Sequence, residues 1–363
     1  MRNKVKTSNY HNLLQKVSHL LEEARRKVAK QINSVITDTY WQIGKLIVEE
    51  EQQGKERAKY GEELIRKLSK DLSKRFGKGF NASNLWNMRQ FYLTYPKLYS
   101  PRIKSEAEKK LYALRRELSW THFRILMRLD NKEARRFYEI ETVKNNWSTR
   151  QLQRQIDSLL FERLSLSKDK KKVIQLSRRG QIIEKPEDAI KDPYVLEFLG
   201  LPQRHYYTEK ELEQKLIDHL QDFILELGKG FTFVGRQKRI TIDNEHYYID
   251  LVFYHRILRC LVLIDLKIGK LEHKDIGQMN FYLNYIKKNE MLKEENPPIG
   301  IILCTESGRS KVFVEYALGG LSNKLFISRY KLYLPTKKEL EEEIKKERKV
   351  LEMLTKTDKG SNQ

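Results

Sequence analysis

Three residues combine type and spacing in a way that suits chemistry: Asp250, Asp265 and Lys267. Each aspartate interrupts an otherwise apolar run, Tyr247-Tyr248-Ile249-Asp250-Leu251-Val252-Phe253-Tyr254 and Cys260-Leu261-Val262-Leu263-Ile264-Asp265-Leu266-Lys267-Ile268. A carboxylate there costs on the order of several kcal/mol of desolvation unless it is paired or holds a metal. Asp265 and Lys267 are two apart, so on a strand they point to the same face. A tight loop at Arg256–Arg259 would join the two runs as a hairpin in which position i opposes 515 − i, setting Asp250 against Asp265. Facing carboxylates repel one another. A divalent cation between them turns that repulsion into a binding site, and oxygen donors without a Cys/His cluster favour Mg²⁺ or Mn²⁺ over zinc. The plainer reading of Lys267 is a structural ion pair with Asp265.

These residues need a sheet, and the pattern supplies one. Thr208–Leu227 reads as a helix with Leu212, Leu216, Leu220 and Phe223 on one side. Phe231–Ile240, Tyr247–Tyr254 and Cys260–Ile268 read as strands, Glu272–Lys287 as a helix and Ile299–Cys304 as a buried strand. That order indicates a mixed α/β domain. Residues 1–165 read as all-helical, with one helix through Leu13–Val28 and a second stretch from about Asn33. The run Lys168–Lys172, Arg178-Arg179-Gly180 and two prolines mark 166–193 as a linker. The expected organisation is therefore 1–165 helical, 166–193 linker, 194–335 α/β, and a charged helix and tail over 336–363.

The charge is unevenly spread. The 363 residues carry a net +22, yet residues 1–180 hold 41 Lys+Arg against 20 Asp+Glu while the remainder is nearly neutral. A basic half beside a neutral half suits a nucleic-acid grip attached to something else, although charge alone does not separate DNA from RNA. Two helix-turn-helix candidates lie there: the helix ending at Phe76 with Gly77-Lys78-Gly79 and a helix capped by Asn81 or Ser83, and the stretch from Leu118 to Ile156. In the second, Ser148 is a natural N-cap, and Arg150 and Arg154 lie one turn apart. Lys78, Arg89 and Arg236 join them as expected DNA contacts. No apolar run approaches membrane-helix length and no secretory signal is visible, so a cytoplasmic protein is expected, with Cys260 and Cys304 as reduced core residues. No P-loop, HExxH or GxSxG pattern occurs.

Asp250, then Asp265-Leu266-Lys267, on the second and third strands after a helix, resembles the PD-(D/E)xK nuclease superfamily, whose restriction-endonuclease-like α/β fold has a mixed central sheet. Gln278 fits a glutamine that many of these enzymes carry in the next helix. Glu213 resembles the additional acidic residue of the preceding helix, for which Glu209, Glu211 and Glu226 are neighbouring alternatives. Stretches such as Trp41-Gln42-Ile43-Gly44, Phe76–Phe80, Leu118–His122, Phe198–Leu201, Phe233–Gln237 and Gly300–Cys304 narrow the likeness to the YhcG-like bacterial proteins. Leu118-Ser119, His122, Arg124, Ser148, Arg150, Gln151 and Leu152 also resemble the helix-turn-helix of ParB-like partition proteins. The superfamily resemblance implies metal-dependent phosphodiester hydrolysis, with Asp250, Asp265, the Leu266 carbonyl and Glu213 holding Mg²⁺ or Mn²⁺. It makes Lys267 and Gln278 catalytic partners of Asp250, Asp265 and Glu213. Two departures are Ile249 before Asp250, where proline is common, and Asp at 265 where Glu is more usual. The expected function is a DNA nuclease. The alternatives are a binding protein that keeps the fold without catalysis, and an RNA nuclease. A homo-oligomer or an unknown protein partner stays open.

Overall fold

The computed structural model describes residues 2–53, 58–96, 98, 106–165, 170–202, 207–306, 322–336, 338–339 and 342. It divides into two compact units, Met1–Gln153 and Arg154–Gln363. No helix among the described residues is long and apolar enough to cross a membrane.

The first unit is helical. It holds α1 (Arg2–Gln53), α2 (Ala58–Phe76), α3 (Ala82–Thr94), α4 (Glu106–Arg115), α5 (Trp120–Leu126), α6 (Lys132–Lys144) and the start of α7 (Thr149–Asp157). The two helices expected before residue 53 are one. Nothing in Ala29-Lys30-Gln31-Ile32-Asn33 breaks a helix, since it has neither glycine nor proline. Gly44 lets α3 lie against α1, because a Cβ there would sit 2.0 Å from the Met88 carbonyl oxygen. Of the two proposed caps, Asn81 is the one used: its Oδ1 accepts the Asn84 amide at 2.8 Å. Ser148 caps α7 as expected, exchanging bonds with Gln151 at 2.9 and 3.3 Å.

The second unit continues through α8 (Leu160–Ser165), α9 (Lys170–Arg179), α10 (Pro186–Ala189), β1 (Tyr194–Val195), α11 (Glu209–Asp218), α12 (Leu220–Leu227), β2 (Phe231–Ile242), β3 (Glu245–His255), β4 (Cys260–Lys270), α13 (His273–Asn289), β5 (Ile299–Glu306) and β6 (Lys324–Lys331). The sheet order is β1-β6-β5-β4-β3-β2. β2, β3 and β4 are antiparallel neighbours, and β4, β5, β6 and β1 run parallel. α11 and α12 contribute Leu212, Leu216 and Phe223 to an apolar layer with Leu251, Val262 and Ile264. A second layer joins Met279 and Leu283 of α13 to Val252, Leu263 and Ile302. Gly300 admits α13, since a Cβ would meet Met279 Cγ at 2.7 Å.

Two expectations change, and a third lies mostly outside the described residues. The stretch 166–193 is no simple linker: it holds α9 and α10, and Ile183 and Ala189 are buried in the α11/α12 layer. Thr208–Leu227 is two helices broken at His219, whose φ of −112° and ψ of 33° leave the helical range. Most of the helix expected near Lys337–Thr355 falls outside the described residues.

Candidate active site

The hairpin register is the expected one. Leu251 opposes Ile264 and His255 opposes Cys260, each pair summing to 515; the paired rungs end there, one residue short of Asp250 and Asp265. Asp250 Oδ2 accepts the Leu266 amide at 2.8 Å. Asp265 is 2% exposed, and its Oδ2 lies 3.1 Å from Lys267 Nζ. Lys267 Nζ also reaches Glu209 Oε2 at 3.6 Å, and Glu209 Oε1 accepts the Ile268 amide at 3.2 Å. Glu209 opens α11 behind Thr208, whose hydroxyl caps the Glu211 amide. The first turn of a helix thus delivers a carboxylate to the lysine.

Burial, then the neighbouring Asp250, pushes the Asp265 carboxyl up to about 7 against the pull of Lys267. Asp250 is raised by burial too, partly offset by the Leu266 amide. Burial acts against the Lys267 ammonium, but Asp265 and Glu209 outweigh it and raise its pKa. Asp265 and Glu209 thus favour the charged form of Lys267.

Glu213, buried in α11, accepts a 2.6 Å bond from Gln237 Nε2, and the same nitrogen donates to Asp250 Oδ1 at 3.2 Å. Burial raises Glu213 and Gln237 lowers it. Gln237 lies between Arg236, paired with Leu251, and Lys238, paired with Ile249, which places it opposite Asp250. Its φ is +47°, a left-handed conformation unusual for a side chain other than glycine and costing about 1–3 kcal/mol. Sequence reading missed this residue as a site member. Glutamine in a polar strand carries no signal, and its position depends on the bulge between Phe233 and Gly235.

Glu213, Asp250, Asp265 and Lys267 are thus joined. Gln278 is held differently: its Nε2 donates to the Tyr282 hydroxyl at 2.5 Å, and that hydroxyl donates to the Tyr248 carbonyl at 2.9 Å. Burial raises the Tyr282 phenol and the two aspartates add to it, so the field of the pair reaches Tyr282. Of the alternatives to Glu213, Glu209 contacts Lys267 and Glu211 is spent on the cap at Thr208. Glu226 is fully buried with Arg163 and Arg154.

Among the described residues no three His, Cys, Asp or Glu side chains converge as a ready metal cage. The donor chemistry nevertheless fits a hard divalent cation. Asp250 raises the proton affinity of Asp265, Glu209 raises that of both, and all these donors are oxygen. Removing the Gln237 amide should loosen Glu213 from Asp250. Gln237→Ala is expected to weaken divalent-cation affinity about 10–100-fold by titration calorimetry, with Gln237→Asn intermediate.

The expected DNA contacts divide. Arg150, Lys78 and Arg236 are exposed, with Arg236 Nη1 donating to Gln214 Oε1 at 2.8 Å. Arg89 is half-buried and bonded to Glu51 at 2.7 and 2.9 Å. Arg154 departs from expectation. It ion-pairs with Glu197 at 2.9 Å and Glu226 at 3.3 Å and lies over the Phe198 ring, so its charge is spent inside its own unit.

Residues 187–345 match the family described as YhcG PDDEXK nuclease domain, and residues 16–163 match the DUF1016 N-terminal domain. A relative named "Putative nuclease YhcG" from Escherichia coli (strain K12) is 42% identical over 369 residues, spanning 95% of this chain and 96% of that protein. A repair endonuclease from Pyrococcus abyssi, known from a crystal structure, is 17% identical with a TM-score of 0.25 over 37% of this chain and 50% of that one. The two family matches and the 42% identity over 95% of the chain make it a member of the YhcG-type PDDEXK nuclease family.

Proposed function

We propose that the protein hydrolyses DNA phosphodiester bonds in a reaction that depends on Mg²⁺ or Mn²⁺, with the basic helical unit as its DNA grip. The observation that carries this reading is the buried Asp265, 3.1 Å from Lys267 and close enough to Asp250 for that charge to help raise it to about 7. Perturbed carboxylates of this kind gather at functional sites. Asp250, Asp265 and the Leu266 carbonyl would hold the cation, and Glu213 would complete its surroundings. A bound divalent cation supplies a lowered water pKa and neutralises charge on the phosphoryl group.

The chain's own groups do the rest. Lys267 stays protonated between Asp265 and Glu209, so it acts as a fixed positive charge beside the phosphoryl oxygens as negative charge develops. Gln237 holds Glu213 and Asp250 at one spacing. Gln278, tethered to Tyr282, presents a carboxamide to order water or phosphate. Binding of DNA is supported by the charge excess of residues 1–180 and by the exposed Arg150. A cytoplasmic setting accords with the free, buried Cys260 and Cys304.

The test uses full-length protein on supercoiled, linear and single-stranded DNA and on RNA, with Mg²⁺, Mn²⁺ or EDTA. Metal-dependent scission of DNA, lost in Asp250→Asn, is the expected result. Binding without scission of any substrate would leave a docking protein, and scission of RNA alone would change the substrate.

A further inference from the structure

α1 carries an apolar stripe that its own unit leaves bare. Tyr10, Leu14, Val17, Leu21, Val28 and Val35 follow one another at spacings of three, four and seven, and they are 43–66% exposed. Leu13, Leu20 and Ile32 flank that line and are exposed at 53–64%. At 3.6 residues per turn all nine fall within an arc of roughly 120° running about 40 Å along the helix. Ala24 and Gln31 fill the two remaining seam positions of the heptad. Lys16, Glu22 and Lys30 lie outside the arc. Scattered exposed leucines need no explanation, but a continuous apolar stripe of this length marks an interaction surface.

Further along, the same face stays exposed at Leu46, at 65%. Leu46 falls on the line, eleven residues after Val35, and borders an apolar groove of about 550 Å³ with Leu64, Leu68 and Leu72 of α2. The helix that lines this groove with it, α2, is itself amphipathic, with leucines at helical spacing.

We infer that α1 pairs with the α1 of a second copy of this chain, through the seam from Tyr10 to Val35. Three observations select that occupant. The nine side chains expose on the order of 1,000 Å² per copy, against the ~800 Å² per partner of a standard stable interface. The heptad spacing is self-complementary, because each seam residue fills a hole made by four residues of an equivalent helix, and a symmetric pair satisfies both copies at once. The seam's only polar member is Gln31, so a phosphate backbone finds little to bind along it.

The experiment is sedimentation equilibrium of the full-length protein at micromolar concentrations, for the wild type, for Leu21→Glu with Val28→Glu, and for His19→Glu on the opposite face. The wild type and His19→Glu are expected to be dimers, and the double variant a monomer with unchanged far-ultraviolet circular dichroism and thermal transition. Those two leucine and valine side chains are already exposed, so the fold does not depend on them. A monomeric wild type, or a dimer that the double substitution does not weaken at least tenfold, would overturn the inference.

Discussion

Arg163→Met is expected to destabilise the protein by about 3–5 kcal/mol in urea unfolding at pH 7, the usual effect of breaking a buried ion pair from one side. Arg163 and Glu226 are both essentially solvent-free, joined Nη1 to Oε1 at 2.6 Å. Arg163 also donates to the Pro193 carbonyl at 2.9 Å and the Ser158 carbonyl at 2.8 Å. Glu226 receives Arg154 at 3.3 Å and the Val195 amide at 3.0 Å, and Lys191 Nζ bonds its main-chain carbonyl. Burial works against the Glu226 carboxylate, but Arg163, Lys191 and Arg154 outweigh it and bring its pKa down to about 2 from 4.5. A depressed acid stabilises the fold fully above its unfolded pKa and loses that contribution as pH falls through its folded value. The window here is pH 4.5 down to about 2, and the Arg163→Met protein should lose most of its pH dependence within it. A cost below about 1 kcal/mol would show that the network relaxes without its central arginine.

That network explains why part of the molecule was illegible in its sequence. Glu226 sits on an amphipathic helix four residues from the next acid, Asp222, and only the tertiary fold brings Arg154, Arg163 and Lys191 around it. Arg154 has the helical spacing of a DNA-reading residue, and spacing along one helix says nothing of which carboxylates lie across from it. The same holds for 166–193. A lysine-rich run and two prolines have a linker's composition, while Ile183 and Ala189 bury themselves in a core made elsewhere. β1 has two residues, too few to show any period, and its partner β6 begins at Lys324. The hairpin was legible because its information is local. Two apolar runs and a four-residue turn leave one symmetric register, and the period of two decides the face of every side chain. The register carried both aspartates to the end of the paired rungs, next to Leu251 and Ile264, and the lysine followed from its spacing. Gln237 needed the bulge.

Lys267→Met is expected to lower metal-dependent DNA cleavage by about 10²–10³-fold, the scale for removing one fixed electrostatic donor, with the fold retained. The alternative is that Lys267 only offsets the charge of Asp265, and the two readings separate in their pH behaviour. Asp265 is an acid raised to about 7 from 3.8, so the folded metal-free protein holds a proton that the unfolded chain has released. Stability therefore falls as pH rises from about 4 through 7, the opposite sense to Glu226. A divalent cation that ligates Asp250 and Asp265 competes with that proton. Its thermal stabilisation of the wild type should be larger at pH 8 than at pH 5.5. In Lys267→Met the Asp265 carboxyl loses its nearest cation, 3.1 Å away, and moves further up. At pH 8 that variant should still gain stability from Mg²⁺, since the carboxylates remain, while cleavage stays lost. Were the lysine only a counter-charge, Mg²⁺ would replace it and restore cleavage together with stability. Activity of Lys267→Met within threefold of wild type at saturating Mg²⁺ would remove the lysine from the chemistry and leave it a structural partner of Asp265.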